Sequence, residues 1–174
     1  RLFKSNIYRM GDRGGDFGIA QEICQKWRQS INVLTEVCNV PAVLIMRVDQ
    51  KDFEVFLSSK SDKNPYEEGE KASLHTGLYC ETVMGTKEQL LIPNALVDPG
   101  WDHNPDVKLN MVSYLGSPLL WLDGNVFGTI FIFDCKEDSY SKAYAMMLQK
   151  FFYLIEKDLR KIIQFIKLEI PLTN

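Results

Sequence analysis

SYLGSPLLWLDGNVFGTIFIFD, residues 113–134, decides the fold. Ser113–Leu122 reads as one strand and Val126–Phe133 as its partner. Asp123-Gly124 between them is a tight-turn pair, because such hairpins need backbone with positive φ. The returning strand is apolar at nearly every position, so it is expected at the centre of a sheet covered on both faces. Gly128 within it is expected to let a neighbouring backbone or side chain come close.

Towards the C-terminus, Ser139 or Ser141 is expected to cap a helix that runs to about Ile170, where Pro171 stops it. Its apolar positions include Tyr144, Met147, Leu148, Phe151, Phe152, Ile155, Leu159, Ile162, Ile163 and Ile166. One stripe satisfies the sheet, and the surplus beyond Leu159 suggests a second apolar face. Residues 148, 151, 155, 159, 162 and 166 step by three or four, as a helix seam does, which predicts a homodimer through the terminal helices. Lys150, Glu156, Lys157, Asp158, Arg160 and Lys161 interrupt the helix with mixed charge, which fits a dimer seam better than a membrane surface.

Towards the N-terminus, residues 1–15 read as a flexible lead-in. Asp16 is expected to cap a helix through about Cys38, with Ile23, Trp27, Ile31 and Leu34 on one face. Ala42–Val48 and Phe53–Leu57 read as an antiparallel pair joined by a turn at Asp49–Asp52. Ser58–Lys71 is polar and reads as a solvated loop. Leu74–Met84 is predicted to be a short helix stopped by Gly85, and Gln89–Pro93 a short strand whose proline favours a strand end or a sheet edge. Asn94–Asn104 is irregular, and Asp106 is expected to cap a short helix through Met111. The order implies an α+β fold: a central antiparallel β-sheet with terminal helices on one face and short helices and loops on the other.

Composition narrows the function. The chain of 174 residues suits one domain, with 45% hydrophobic and 25% charged residues. Net charge is −3 with no basic block, which argues against a nucleic-acid footprint. The longest uncharged run, Leu109–Leu122, contains Gly116 and Pro118 and falls short of the ~18–20 apolar residues a membrane span needs. Cys24, Cys38, Cys80 and Cys135 show neither a Cys-x-x-Cys pair nor zinc-finger spacing, and read as reduced thiols of a cytoplasmic protein.

An ordered set of residues resembles a known family. It comprises Gly77-Leu78-Tyr79-Cys80-Glu81-Thr82-Val83, Leu91-Ile92-Pro93-Asn94-Ala95, Trp101 and Asn104-Pro105-Asp106. It continues with Tyr114-Leu115-Gly116-x-Pro118-Leu119, Asp123-Gly124 and Phe127-Gly128-Thr129-Ile130 through Asp134. Together they resemble the GAF sensor domains, of the kind attached to bacterial histidine kinases and diguanylate cyclases. The resemblance covers about residues 17–160, giving a GAF domain at 16–160. Residues 161–174 are then an extension of the last helix towards a downstream output domain. It implies a GAF/PAS-like sheet, a regulatory role in signal transduction with no activity of its own, and an unidentified small-molecule ligand between the sheet and the 58–112 segments. An irregular stretch rich in aromatic and polar groups over a sheet is also where a pocket forms on physical grounds. Tyr79, Cys80, Val83, Trp101, Asn104, Met111, Tyr114 and Pro118 are the candidate lining. The cofactor, if any, is unknown.

Each reactive group also admits a sharper chemistry. Cys80 as the nucleophile of a GAF-type methionine sulfoxide reductase is the leading enzymatic alternative, but no His or Lys adjoins it to lower its pKa. Bilin-binding relatives carry a Cys usually followed by His, whereas Glu81 follows here. Cyclic-nucleotide binders carry an Asn-Lys dipeptide that this chain lacks. Glu81 reads as a group that bonds backbone N–H groups or sits on the helix surface, and His103 with its flanking aspartates as surface or capping chemistry. A ligand-free dimerisation scaffold is the other alternative.

Overall fold

The computed structural model describes residues 22–48, 52–137 and 145–161 in full, and 18–21, 142–144 and 162–169 as helical backbone. The elements run α1 (Gly18–Cys38), β1 (Ala42–Val48), β2 (Asp52–Ser58), β3 (Lys71–Ser73), α2 (Tyr79–Thr86), β4 (Leu90–Ile92), β5 (Ser113–Leu120), β6 (Val126–Asp134) and α3 (Lys142–Glu169). Short 3-10 turns lie at Ala95–Val97 and Pro105–Leu109. The lead-in, the Asp16, Ser139 and Ser141 caps, the turn at 49–51 and the end of the last helix at Pro171 lie outside the described residues.

The six strands form one antiparallel sheet in the order β3-β2-β1-β6-β5-β4. β6 sits near the middle and is buried from Phe127 to Phe133, as its continuous apolar run requires. Gly128 pairs with Arg47, and a Cβ there would fall 1.8 Å from the Met46 carbonyl oxygen, so only glycine fits.

Strand alternation separates two cores. Val43 and Ile45 of β1 and Ile130 and Ile132 of β6 face the terminal helices. Ala42, Leu44 and Met46, with Phe131 and Phe133, face the other layer. Against the first face α1 buries Trp27, Ile31 and Leu34, and α3 buries Leu148, Phe152, Ile155 and Leu159. Each such large side chain contributes roughly 1.5–3 kcal/mol by leaving water. Asp158, 8% exposed, joins the two helices: its carboxylate accepts from Lys26 Nζ at 2.8 Å and from Trp27 Nε1 at 3.2 Å. The α+β architecture expected from the sequence is the one observed.

Five local expectations need correction. Leu148, Ile155 and Leu159 are buried against the sheet, and Phe151 packs partly on it, so these positions are core rather than a seam open to a partner. The exposed apolar residues are instead Met146, Tyr153 and Leu154 on α3, with Val33 and Val37 on α1. Positions 162 and 166 lie where side chains are not described. The short helix α2 begins at Tyr79, not Leu74, because residues 75–78 turn around the Glu81 carboxylate. It ends not at Gly85 but at Lys87, in left-handed conformation (φ 57°), whose amide donates to the Val83 carbonyl and whose Nζ donates to the Gly124 carbonyl at 2.9 Å. The strand β3 was not foreseen, since Lys71–Ser73 has only Ala72 half-buried and no alternation to read. Asn104, not Asp106, caps the turn at Pro105–Leu109, its Oδ1 accepting from the Asp106 amide. Finally, β5 ends at Leu120 rather than Leu122: the Trp121 amide already donates to the Asn125 carbonyl, and the turn follows with Gly124 at φ 79°.

Among the described residues, no helix is long and apolar enough to cross a membrane.

Candidate functional site

The second face of the sheet is covered by α2, by the segment through Trp101 and by the Pro105–Leu109 turn. The start of α2 is fixed by Glu81. Its carboxylate accepts from the amides of His75 (2.8 Å), Thr76 (2.9 Å), Gly77 (3.0 Å) and Leu78 (3.2 Å), as the sequence suggested. Burial opposes ionisation of Glu81, but the four amide donors outweigh it and hold its pKa below the usual carboxylate range. Gly77 at φ 82° and His75 at φ 66° let the chain wrap around the acid. Asn104 locks this loop to the next one: Nδ2 donates to the Gly77 carbonyl at 2.8 Å while Oδ1 holds the Asp106 amide at 2.9 Å.

Within this frame the aromatic rings form a continuous layer. Tyr79 stacks on Tyr114 with centroids 4.7 Å apart, and Trp101 packs against Tyr79, tilted, at 5.1 Å. Tyr114 also meets Phe131 at 5.2 Å and Phe133 at 5.4 Å, and Tyr66 stacks on Phe133 at 5.5 Å. Tyr114 lies flat along its own strand: a Cβ on Gly116 would sit 2.1 Å from its hydroxyl. Gly116 therefore makes the room that the phenol occupies.

The layer carries polar atoms that nothing satisfies. The hydroxyls of Tyr79, Tyr114 and Thr129 are buried and, among the described residues, have no hydrogen-bond partner. Both tyrosines are 0% exposed. Thr129 and Tyr114 approach the Cys80 thiol closely enough to affect its ionisation, without closing hydrogen bonds of good geometry. Burial dominates there and pushes the thiol up to about 12. Burial likewise raises Tyr114, Tyr79 and Tyr66 above the ordinary phenol value. At one edge, Tyr66 Oη donates to Asp106 Oδ1 at 2.9 Å. Burial pushes the Asp106 carboxyl up to about 6, and the Tyr66 hydrogen bond only partly offsets this.

The structure brings most of the sequence-predicted residues together. Tyr79, Cys80, Val83, Met111 and Tyr114 are buried in this one cluster, with Trp101 half-buried against it. Asn104 is present as a clasp whose amide oxygen and nitrogen are both occupied. Pro118 is buried on β5 opposite Thr129. Sequence reasoning missed Tyr66, Asp106 and Thr129 as members. Thr129 had a legible signal, as a hydroxyl in an apolar central strand; Tyr66 lay in a loop read as solvated. His103 is 95% exposed by side chain and approaches only Asp102, at 3.4 Å; no group of three or more metal-ligating side chains occurs among the described residues. Cys24, Cys38, Cys80 and Cys135 are not joined in disulfides.

Solved structures of the same shape place the fold. The blue-light-absorbing form of the PixJ GAF domain from Thermosynechococcus elongatus superposes with a TM-score of 0.72 at 9% identity, covering 87% of this chain and 93% of that one. The GAF domain of an Acinetobacter phosphoenolpyruvate-protein phosphotransferase gives 0.64 at 16% identity, over 82% and 85%. The free methionine-R-sulfoxide reductase of Neisseria meningitidis, solved with its substrate, gives 0.65 at 14%, over 82% and 80%. No family model and no curated protein matches the sequence. The chain has the fold of a GAF domain.

Proposed function

We propose that this domain is a regulatory sensor that binds a small molecule in the layer between the sheet and α2. The observation that carries this reading is the set of three buried hydroxyls, on Tyr79, Tyr114 and Thr129, without hydrogen-bond partners among the described residues, inside an aromatic layer. A buried polar group without a partner costs about 1–3 kcal/mol, so three in one layer suit a recognition surface better than a packing one. The expected setting is a bacterial, cytoplasmic signalling protein, with a histidine kinase or diguanylate cyclase as output domain. α1 and α3 pair with a second copy through Val33, Val37, Met146, Tyr153 and Leu154. Tyr114 faces the ligand layer while its neighbour Leu115 packs in the core shared with the terminal helices, and α3 lies against β5. A ligand that displaces Tyr114 thus acts on the strand that supports α3, and it shifts the helix pairing only if it prefers one arrangement over the other.

The rival is an enzyme, a methionine sulfoxide reductase using Cys80. The shared fold with such reductases supports it, but burial keeps the Cys80 thiol protonated and a poor nucleophile. The two readings separate in one experiment on the wild type, Tyr114→Phe and Cys80→Ser. The sensor reading expects saturable binding by at least one polar metabolite in a calorimetric survey, weakened in Tyr114→Phe, and no turnover of free methionine sulfoxide. Turnover that vanishes in Cys80→Ser overturns it.

A further inference from the structure

We infer that the ligand of this layer carries a cationic nitrogen, as an ammonium, amidinium or guanidinium group, and that Asp106 is its counter-ion. This rests on the sensor reading above and adds the ligand's chemical class.

Asp106 is buried, only 8% exposed as a residue, yet its one side-chain partner among the described residues is the Tyr66 hydroxyl. The titratable groups that act with it are Tyr66 from the 59–70 loop, Tyr79 and Cys80 from α2 and Tyr114 from β5, none of which carries positive charge. Its basic neighbours in sequence point elsewhere: Lys108 is exposed, and exposed His103 approaches only Asp102. A buried carboxylate without a counter-charge is costly, and folded proteins pair such groups. Among the described residues, no cationic side chain pairs with it.

The surroundings suit a cation independently of that acid. Tyr66, which holds the carboxylate, begins a run of ring faces through Phe133 and Tyr79 to Trp101, with successive centroids 5.5, 5.9 and 5.1 Å apart. Ring faces attract cations, most strongly where water is excluded. The orphan hydroxyls of Tyr79, Tyr114 and Thr129 accept from N–H groups and donate to any oxygen on the same molecule. An anionic ligand meets the carboxylate's repulsion, and a neutral one leaves it unpaired.

The test is isothermal titration of the whole chain with ethanolamine, choline and agmatine, alongside matched neutral analogues and a set of small carboxylates. Asp106→Asn is titrated in parallel, since it keeps an acceptor for Tyr66 and so preserves the fold. The expected result is binding of at least one cation, weakened about tenfold or more in Asp106→Asn. In the wild type, the same affinity falls as pH drops below about 6, where Asp106 takes up a proton. Equal cation binding by Asp106→Asn, or an affinity indifferent to that pH range, overturns the assignment. Binding of neutral or anionic compounds alone also overturns it but leaves the sensor reading standing. Binding by no compound of any class overturns both.

Discussion

The two carboxylates that flank the aromatic layer, Glu81 and Asp106, respond to acid in opposite directions because their surroundings differ. Glu81 is held below its ordinary pKa by four amides, so its contribution is present above the unfolded value and is lost as pH falls through the folded one. Asp106 is raised by burial from 3.8 to about 6, so the folded state binds the proton more tightly than the unfolded chain. Stability from this group is therefore greatest below about 3.8 and is lost as pH rises towards about 6, by an amount on the order of 3 kcal/mol at most. Asp106→Asn is expected to remove that loss, so that urea denaturation at neutral pH gives a higher midpoint than the wild type; an unchanged or lower midpoint argues that the carboxylate is not strained. Tyr114→Phe follows the same logic. It deletes a hydroxyl that, among the described residues, closes no hydrogen bond of good geometry, so stability is expected to hold or rise by up to about 1 kcal/mol even as ligand binding weakens. A loss above that in thermal denaturation indicates a partner for the hydroxyl in the free protein. Gly128→Ala is expected to be severe, costing about 3 kcal/mol or more, since its Cβ would meet the Met46 carbonyl, which is backbone and cannot swing away. Soluble yield and the denaturation midpoint report this directly.

Among the elements, legibility tracked the strength of the physical signal. The β5–β6 hairpin was readable because a turn pair and a continuous apolar run are both short-range facts. The terminal helices were readable because Trp27, Ile31 and Leu34, like Leu148, Phe152, Ile155 and Leu159, recur at helical spacing. β3 was not, because a three-residue edge strand held by pairing to Asp52–Glu54 needs no pattern of its own. The start of α2 is not legible for a similar reason: Glu81 can be read as an acceptor of backbone amides, but that these are the amides of residues 75–78 has no side-chain signature. The seam was misread because periodicity tells that a face is apolar, not whether it meets the sheet or a second helix. The link between α1 and α3 also lies beyond sequence, since Asp158 finds Trp27 and Lys26 across more than a hundred residues. Asp158→Ala is expected to cost about 1–3 kcal/mol by orphaning the buried Trp27 N–H. Lys26→Ala is expected to cost under about 1 kcal/mol, as that ammonium is largely in water. Denaturant midpoints of the two variants check the ranking, and equal losses contradict it.

For the whole molecule, the fold was legible well before the site was. Two apolar faces on one sheet dictate a layer on each side, and the sequence separates regular amphipathic helices from an irregular cover rich in aromatic and polar groups. Five of the eight predicted residues do share one buried cluster. The parts that give the layer its chemistry were harder, since Tyr66 and Asp106 lie 40 residues apart and meet only through the tertiary fold. The account holds that this layer is a recognition surface whose occupant is not supplied by the chain, and that the terminal helices report its state. Native mass spectrometry of the protein purified directly from its source tests this most directly. The account predicts a dimer that carries a small molecule released on denaturation; a polypeptide of bare mass, as monomer or dimer, would contradict it.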